Sequence, residues 1–260
     1  MRTFTLQCTA LNGSNKVGKL EPDENGYYKV VLGGFDIPNP QGNVYPYKAA
    51  KHLFEESSTL MRNITSGNLY GEWGHPKRQP GQTLSNYIKR CSIVDEANIA
   101  FHIKKIEISE SEVKDDSGNT VVSVIGWVKG VGPKASEFDK MLANPDQNVC
   151  FSIRAATDDV PNANGKLNRN LTSIITWDFV VYPGLKVAQK YKSPALESFD
   201  SVSVGEEELR CLKFEIQNSK ELAMEDAGAL DVINEILNSP RQRRTFNTAL
   251  LKQRPTSLGW

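Results

Sequence analysis

The sequence is short of the residues that metal and disulfide chemistry need: its 260 residues include 4 cysteines and 3 histidines. Cys8, Cys91, Cys150 and Cys211 are scattered without a CxxC pair, which argues against a zinc knuckle, a redox pair or a dense disulfide framework and leaves free thiols as the expectation. No two of His52, His75 and His102 stand at the close spacing of helix-borne zinc ligands, so metal chemistry is not expected. Charge of one sign is missing too. Lys+Arg 31 against Asp+Glu 31 gives no net charge, without the basic footprint of a nucleic-acid binder. No apolar run approaches the roughly 18–20 residues of a membrane helix, and the opening lacks a signal-peptide core, so the expectation is a cytoplasmic protein with no membrane role. GxxxxGK[ST], strand-linked GxGxxG and GxSxG are all absent, which leaves phosphate loops, dinucleotide folds and the α/β-hydrolase elbow without an anchor. What is there is ordinary for a packed chain: 39% hydrophobic and 24% charged residues, with length for one large domain or two small ones.

Stretches rich in β-branched and aromatic residues, bounded by Gly, Asn and Asp, predict strands at 3–11, 27–32, 68–73, 98–108, 120–131, 148–155 and 171–182. Leu53, Leu60, Met61 and Ile64 recur at helical spacing and predict one amphipathic helix over 48–63, and Phe138, Met141 and Leu142 predict a short one over 134–143. Residues 158–170, rich in Asn, Asp, Gly and Pro, read as an exposed loop. After Tyr182, prolines and serines mark a linker-like passage that leads into 206–217 and a helix over 220–237, outside the sheet. The helix is acidic, and the segment after it carries Arg241, Arg243, Arg244, Lys252 and Arg254, which suggests docking to a partner or to each other. The division is a β-rich body over 1–200 and a partly helical tail over 201–260.

Two segments can carry chemistry. In Gly71-Glu72-Trp73-Gly74-His75-Pro76 a histidine leaves a strand between a glycine that frees the backbone and a proline that fixes it. In Asn148 to Ala156, strand period two sends Val149, Phe151 and Ile153 to one face and Cys150, Ser152 and Arg154 to the other. Ser152 and Arg154 then offer a nucleophile and a nearby positive charge for the oxyanion of a tetrahedral intermediate. The plain alternatives are a loop histidine without a task and an ordinary polar outer face.

Taken in order, GEWGHP, the strand IAFHIKKIEI, IGWVKGV with its following helix, the strand VCFSIRA and TWDFVVYPG resemble the prohead (procapsid) maturation serine proteases of tailed bacteriophages. The likeness is to the prohead core protein protease family of large myoviruses, similar in fold to the herpesvirus assemblins, and spans about Tyr27 to Ala188. It implies a mixed α and β fold, mainly an antiparallel β-barrel surrounded by helices, with a helical C-terminal tail. Ser152 then matches the nucleophile, His75 the general base and Arg154 the arginine two residues after the serine. Such families often read Ser-Ser-Arg, whereas Phe151-Ser152-Ile153-Arg154 offers one serine.

A histidine base needs an acceptor on its other ring nitrogen. Asp178 is on the strand after the serine, where related families place the third residue, and His102 is the alternative, as in the assemblins. Glu72, an odd number of residues from His75, ranks last. The implied activity is a serine endopeptidase without cofactor, acting inside the assembling procapsid in the host cytoplasm. Its implied substrates are scaffold or core proteins, the major capsid protein and the protease itself, which could also self-associate. The implied cuts follow glutamate with a small or apolar residue two positions earlier, a pattern met at Glu197, Glu221, Glu225 and Glu235. A catalytically silent assembly component is the other implied reading, because the barrel type also resembles phage tail-tube proteins; the presence of both His75 and Ser152 argues against it.

Overall fold

Alternating apolar residues broken by turn residues give a strand-dominated chain. The structure, a computed structural model, describes residues 3–13, 21–39, 42–115, 118–144, 146–181, 200–218 and 224–239. One sheet has the order β7-β6-β1-β8, built from β1 (Thr3–Gly13), β6 (Cys150–Pro161), β7 (Leu167–Val180) and β8 (Asp200–Gly205). The other has the order β2-β5-β4-β3, built from β2 (Tyr28–Phe35), β3 (Tyr70–Glu72), β4 (Ile99–Lys114) and β5 (Thr120–Gly130). Every ladder within them is antiparallel.

Residues from both sheets, among them Val30, Leu32, Phe101, Ile103, Val128, Phe151, Ile153, Trp177 and Phe179, form one apolar core between them. β1 lies beside β2 and β3 beside β7, so the sheets approach at both seams in a barrel-like enclosure. The ladder is not continuous round it: β3 and β7 are joined through an isolated parallel bridge, Trp73 with Phe179.

Helices cover the outside: α1 (Tyr47–Ala50), α2 (Thr59–Thr65), α3 (Leu84–Ser92), α4 (Ala135–Ala143), α5 (Glu206–Gln217) and α6 (Met224–Asn238). A second apolar cluster unites Ile88 of α3, Ala156 and Ile175 of the first sheet, Leu209, Leu212 and Ile216 of α5, and Val232, Ile233 and Ile236 of α6. The first sheet is therefore buried on both faces, one by the opposite sheet and one by helices. Among the described residues, no helix is long and apolar enough to cross a membrane.

Three expectations need correction, and one helix was not expected. The helix expected over 48–63 is three pieces: α1, a 3-10 turn Lys51–Phe54, and α2. Glu55 turns extended, and the Ser58 side chain accepts from Met61 N to start a new helix, so local capping overrides a periodicity that spanned the break. The loop expected over 158–170 is mostly ladder, with Asp158 paired to Asn170 and Asp159 to Arg169, and only a tight turn at 162–166 is left. Asp158, Arg169 and Asn170 are buried, so its polarity serves pairing and packing. The linker-like passage ends in β8, which pairs with β1, so part of the segment read as lying outside the sheet is an edge strand. Finally, α3 was not anticipated, although Tyr87, Ile88 and Cys91 form its buried side. The basic segment after α6 lies outside the described residues.

Candidate active site

The first sheet sets the site's register. Ser152 of β6 pairs directly with Asp178 of β7, so both side chains leave the same face, and Arg154 follows two residues along. Phe151, Ile153, Trp177 and Phe179 point the other way, into the core. This face is roofed rather than solvated: Ser152 and Asp178 are 0% exposed and Arg154 1%.

His75 arrives from the other sheet. After β3 the chain crosses the seam, with Trp73 N donating to Asn98 O at 3.0 Å and Gly74 N to Phe179 O at 2.8 Å. The Trp73 and Phe179 rings pack with centroids 4.4 Å apart. Two glycines permit the crossing for different reasons. A Cβ on Gly71 would lie 2.1 Å from Phe101 Cζ and 2.3 Å from the Trp177 carbonyl oxygen, so the close approach of β3 to β7 excludes any side chain. Gly74 has φ +85°, and that left-handed turn swings His75 over β7.

There the three side chains form one line. His75 Nε2 lies 2.6 Å from Ser152 Oγ, and His75 Nδ1 lies 2.8 Å from Asp178 Oδ2. A carboxylate at Nδ1 makes that nitrogen the donor and leaves Nε2 free to accept the serine proton. Burial works to raise the Asp178 carboxyl, but the charge of Arg154 and the hydrogen bond and charge of His75 outweigh it and hold it at about 2. Cys150, the other nucleophile on this face, is disarmed by burial, which pushes its thiol up to about 12.

Arg154 stands on the opposite side of the imidazole from the serine. Its Nε donates to Asp178 Oδ2 at 2.9 Å, its Nη2 to Asp178 Oδ1 at 2.7 Å, and its Nη1 to the Ile93 carbonyl at 2.7 Å. The expectation of a guanidinium at the oxyanion is thus replaced by one that grips the carboxylate. Its long side chain, sharing a strand face with Ser152, extends beneath α3 toward two buried carboxylates.

Those carboxylates belong to Asp178 and Glu72, which meets His75 at no side-chain atom. The Glu72 main-chain N donates to Asp178 Oδ1 at 3.0 Å, and its own carboxylate lies 2.8 Å from Arg154 Nη2. Sequence reasoning missed Arg90, Asn98 and the Ile93 carbonyl because no local spacing pairs Arg90 or Asn98 with Glu72, or Ile93 with Arg154 61 residues on. The available signal was an arginine on the polar side of an amphipathic helix soon after a strand-borne glutamate.

His102 is elsewhere. It sits on β4 opposite Tyr70, with Nδ1 2.9 Å from Tyr27 Oη and its ring edge-on to Tyr27, and burial lowers its proton affinity. The position it was expected to contest, His75 Nδ1, is occupied by Asp178. Among the described residues no group of three or more His, Cys, Asp or Glu side chains is placed to hold a metal ion.

A capsid maturation protease of Pseudomonas phage phiKZ is 34% identical over 194 residues, covering 73% of this chain and 70% of that protein. The solved structure of the bacteriophage T4 capsid assembly protease, gp21, aligns with TM-score 0.40 at 17% identity, covering 68% of this chain and 99% of that one. The Peptidase S80 family matches residues 6–244, nearly the whole sequence, and the chain belongs to that family.

Proposed function

We propose that this peptidase is a serine endopeptidase of phage head maturation, with Ser152 as nucleophile, His75 as general base and Asp178 as the residue that orients it. The observation that carries the reading is the unbroken line from Ser152 Oγ through both nitrogens of His75 to Asp178 Oδ2, at 2.6 and 2.8 Å. In the first step His75 Nε2 takes the Oγ proton as Oγ bonds to the peptide carbonyl carbon. The resulting imidazolium returns that proton to the leaving amide nitrogen as the C–N bond breaks. Water, deprotonated by the same nitrogen, then releases the acyl group and restores the serine. Because Arg154 is engaged by Asp178, Glu72 and Ile93, the oxyanion falls to main-chain N–H groups, and Arg154 serves to fix the Asp178 carboxylate.

By kinship with the phage protease, the substrates are scaffold or core proteins and the major capsid protein within the assembling procapsid, and the enzyme's own chain. Exposure of the folded protein to a fluorophosphonate probe tests the chemistry without knowledge of the substrate: Ser152 should be labelled, and neither Ser152→Ala nor His75→Ala should be. Cleavage of co-expressed capsid and scaffold proteins should vanish in the same two variants while their melting temperatures stay near the parent's. Retained cleavage in Ser152→Ala would reject the assignment.

A further inference from the structure

Behind Asp178 lies a second layer of buried charge that the reaction as written does not use. Arg154 forks Asp178, and its Nε shares Oδ2 with the imidazole, which draws off negative charge that the imidazolium needs in the transition state. Glu72 counters this. Its carboxylate competes for the same Arg154 Nη2, at 2.8 Å, from a position that is 0% exposed.

The other contacts of Glu72 hold it there. Oε1 accepts from Arg90 Nη1 at 2.9 Å and from Asp95 N at 2.9 Å, and Oε2 accepts from Arg90 Nη2 and from Asn98 Nδ2 at 3.2 Å. The charged groups around His75 are Asp178 on β7, which it meets directly, and behind that carboxylate Arg154 on β6, Glu72 on β3, Arg90 on α3 and Asp95 just after α3. Asp95 stays nearer to solvent, its side chain 45% exposed and 3.7 Å from Arg90. The set therefore holds two carboxylates against two guanidiniums, with Asp178, Glu72 and Arg154 buried and Arg90 partly exposed.

We propose that Glu72 is a positioning residue of this peptidase: with Arg90 it balances Arg154, keeping Asp178 able to stabilise a protonated His75 and tying α3 to the site. The proposal rests on the reading of Ser152, His75 and Asp178 as the reacting line. It requires that opposite charge changes behind Asp178 act with opposite sign. Glu72→Gln keeps the shape but removes a negative charge, which disfavours the imidazolium; Arg90→Gln removes a positive one and favours it.

The measurement is the second-order rate of fluorophosphonate labelling of Ser152 across pH, whose acid limb marks protonation of the base. Glu72→Gln should move that limb to lower pH and lower the plateau rate, and Arg90→Gln should move it to higher pH, each by about half to one pH unit, a three- to tenfold change. Arg90 is 24% exposed, so its variant should fold even if Glu72→Gln does not, and the sign of its shift then decides alone. A purely structural role would lower the melting temperature and leave the limb in place. An unmoved limb in the folded variants, or shifts of the same sign, overturns the proposal.

With 3 histidines in the chain, histidine-selective ¹⁵N labelling in a Ser152→Ala background reads the His75 Nδ1 proton without turnover. That resonance should move in opposite directions in the two variants. Cleavage surviving Ser152→Ala would sink the nucleophile and leave this result standing, whereas a resonance unmoved by both charge changes would sink the role of Glu72 alone.

Discussion

Asp178 shows how burial and charge divide the work at a single residue. Its carboxyl is depressed from 3.8 to about 2, because Arg154 and His75 outweigh the burial that would raise it. A depressed folded value stabilises the fold above the unfolded value and is lost as pH falls through the folded one, so the loss should run from about pH 4 down to about 2. Glu72 is held down as well, burial being outweighed by its bond to Arg90 and the charge of Arg154, so its contribution is also lost on acidification. Denaturant unfolding at a series of pH values checks this: Asp178→Asn should be less stable than the parent at neutral pH and should lose less on acidification. Its labelling rate should fall by about 10³–10⁴, the scale of a lost orienting carboxylate in serine hydrolases. Arg154→Lys keeps the charge but cannot fork both Asp178 oxygens while reaching the Ile93 carbonyl. It should be slower by about tenfold or more and less stable by about 1–3 kcal/mol, whereas an undiminished labelling rate would argue against the grip on Asp178.

At the scale of elements, what was legible in the sequence is what depends on neighbours along the chain. Period two along β6 put Ser152 and Arg154 on one face, and the Gly-His-Pro step marked a fixed histidine at a strand end. Where Arg154 points was not legible: its partners are Asp178 on the next strand, Glu72 across the seam and a carbonyl just past α3. Only the family resemblance separates Asp178 from His102 in the sequence, since no local pattern says which residue reaches a ring nitrogen 103 residues away. Composition misled over 158–170, because Asn and Asp signal turns yet also sit in a buried ladder, where Asn170 Nδ2 donates to the Asp158 carbonyl at 3.2 Å. The seam itself offers a test. Gly71→Ala thrusts a methyl onto a main-chain oxygen that cannot yield, and should cost about 3 kcal/mol or more or prevent folding. Gly74→Ala meets no atom within 4 Å and is strained only by its φ of +85°, so it should cost about 1–2 kcal/mol. Melting curves of the pair separate steric exclusion from backbone strain, and equal losses would refute the distinction.

Across the whole molecule, the C-terminal elements bear on which candidate self-cleavage sites can be used. Glu197 and Glu221 lie outside the described residues, and Glu225 falls in α6 without a described side chain. Glu235 is firmly placed. Its carboxylate accepts from Thr59 N at the start of α2, at 3.1 Å, and from Ser173 Oγ on β7, while Ile233 and Ile236 beside it are buried. A protease needs its substrate drawn out as an extended strand, so a cut after Glu235 would first require the docked end of α6 to unravel and its apolar side to be exposed. Glu110 matches the same pattern from inside β4, where ladder bonds to β5 resist extraction. If the enzyme trims itself, intact-mass analysis after incubation should find new carboxy termini at Glu197 or Glu221, absent from Ser152→Ala, and none at Glu235 or Glu110. A cut after Glu197 would leave β8, α5 and α6 as a separate chain, yet β8 pairs with β1 over six residue pairs and α5 and α6 share an apolar cluster with Phe4, Ala156 and Ile175. The two pieces should therefore co-elute on size exclusion under native conditions and separate only in denaturant. Fragments that part without denaturant would show that the C-terminal elements are held by the chain connection rather than by this packing.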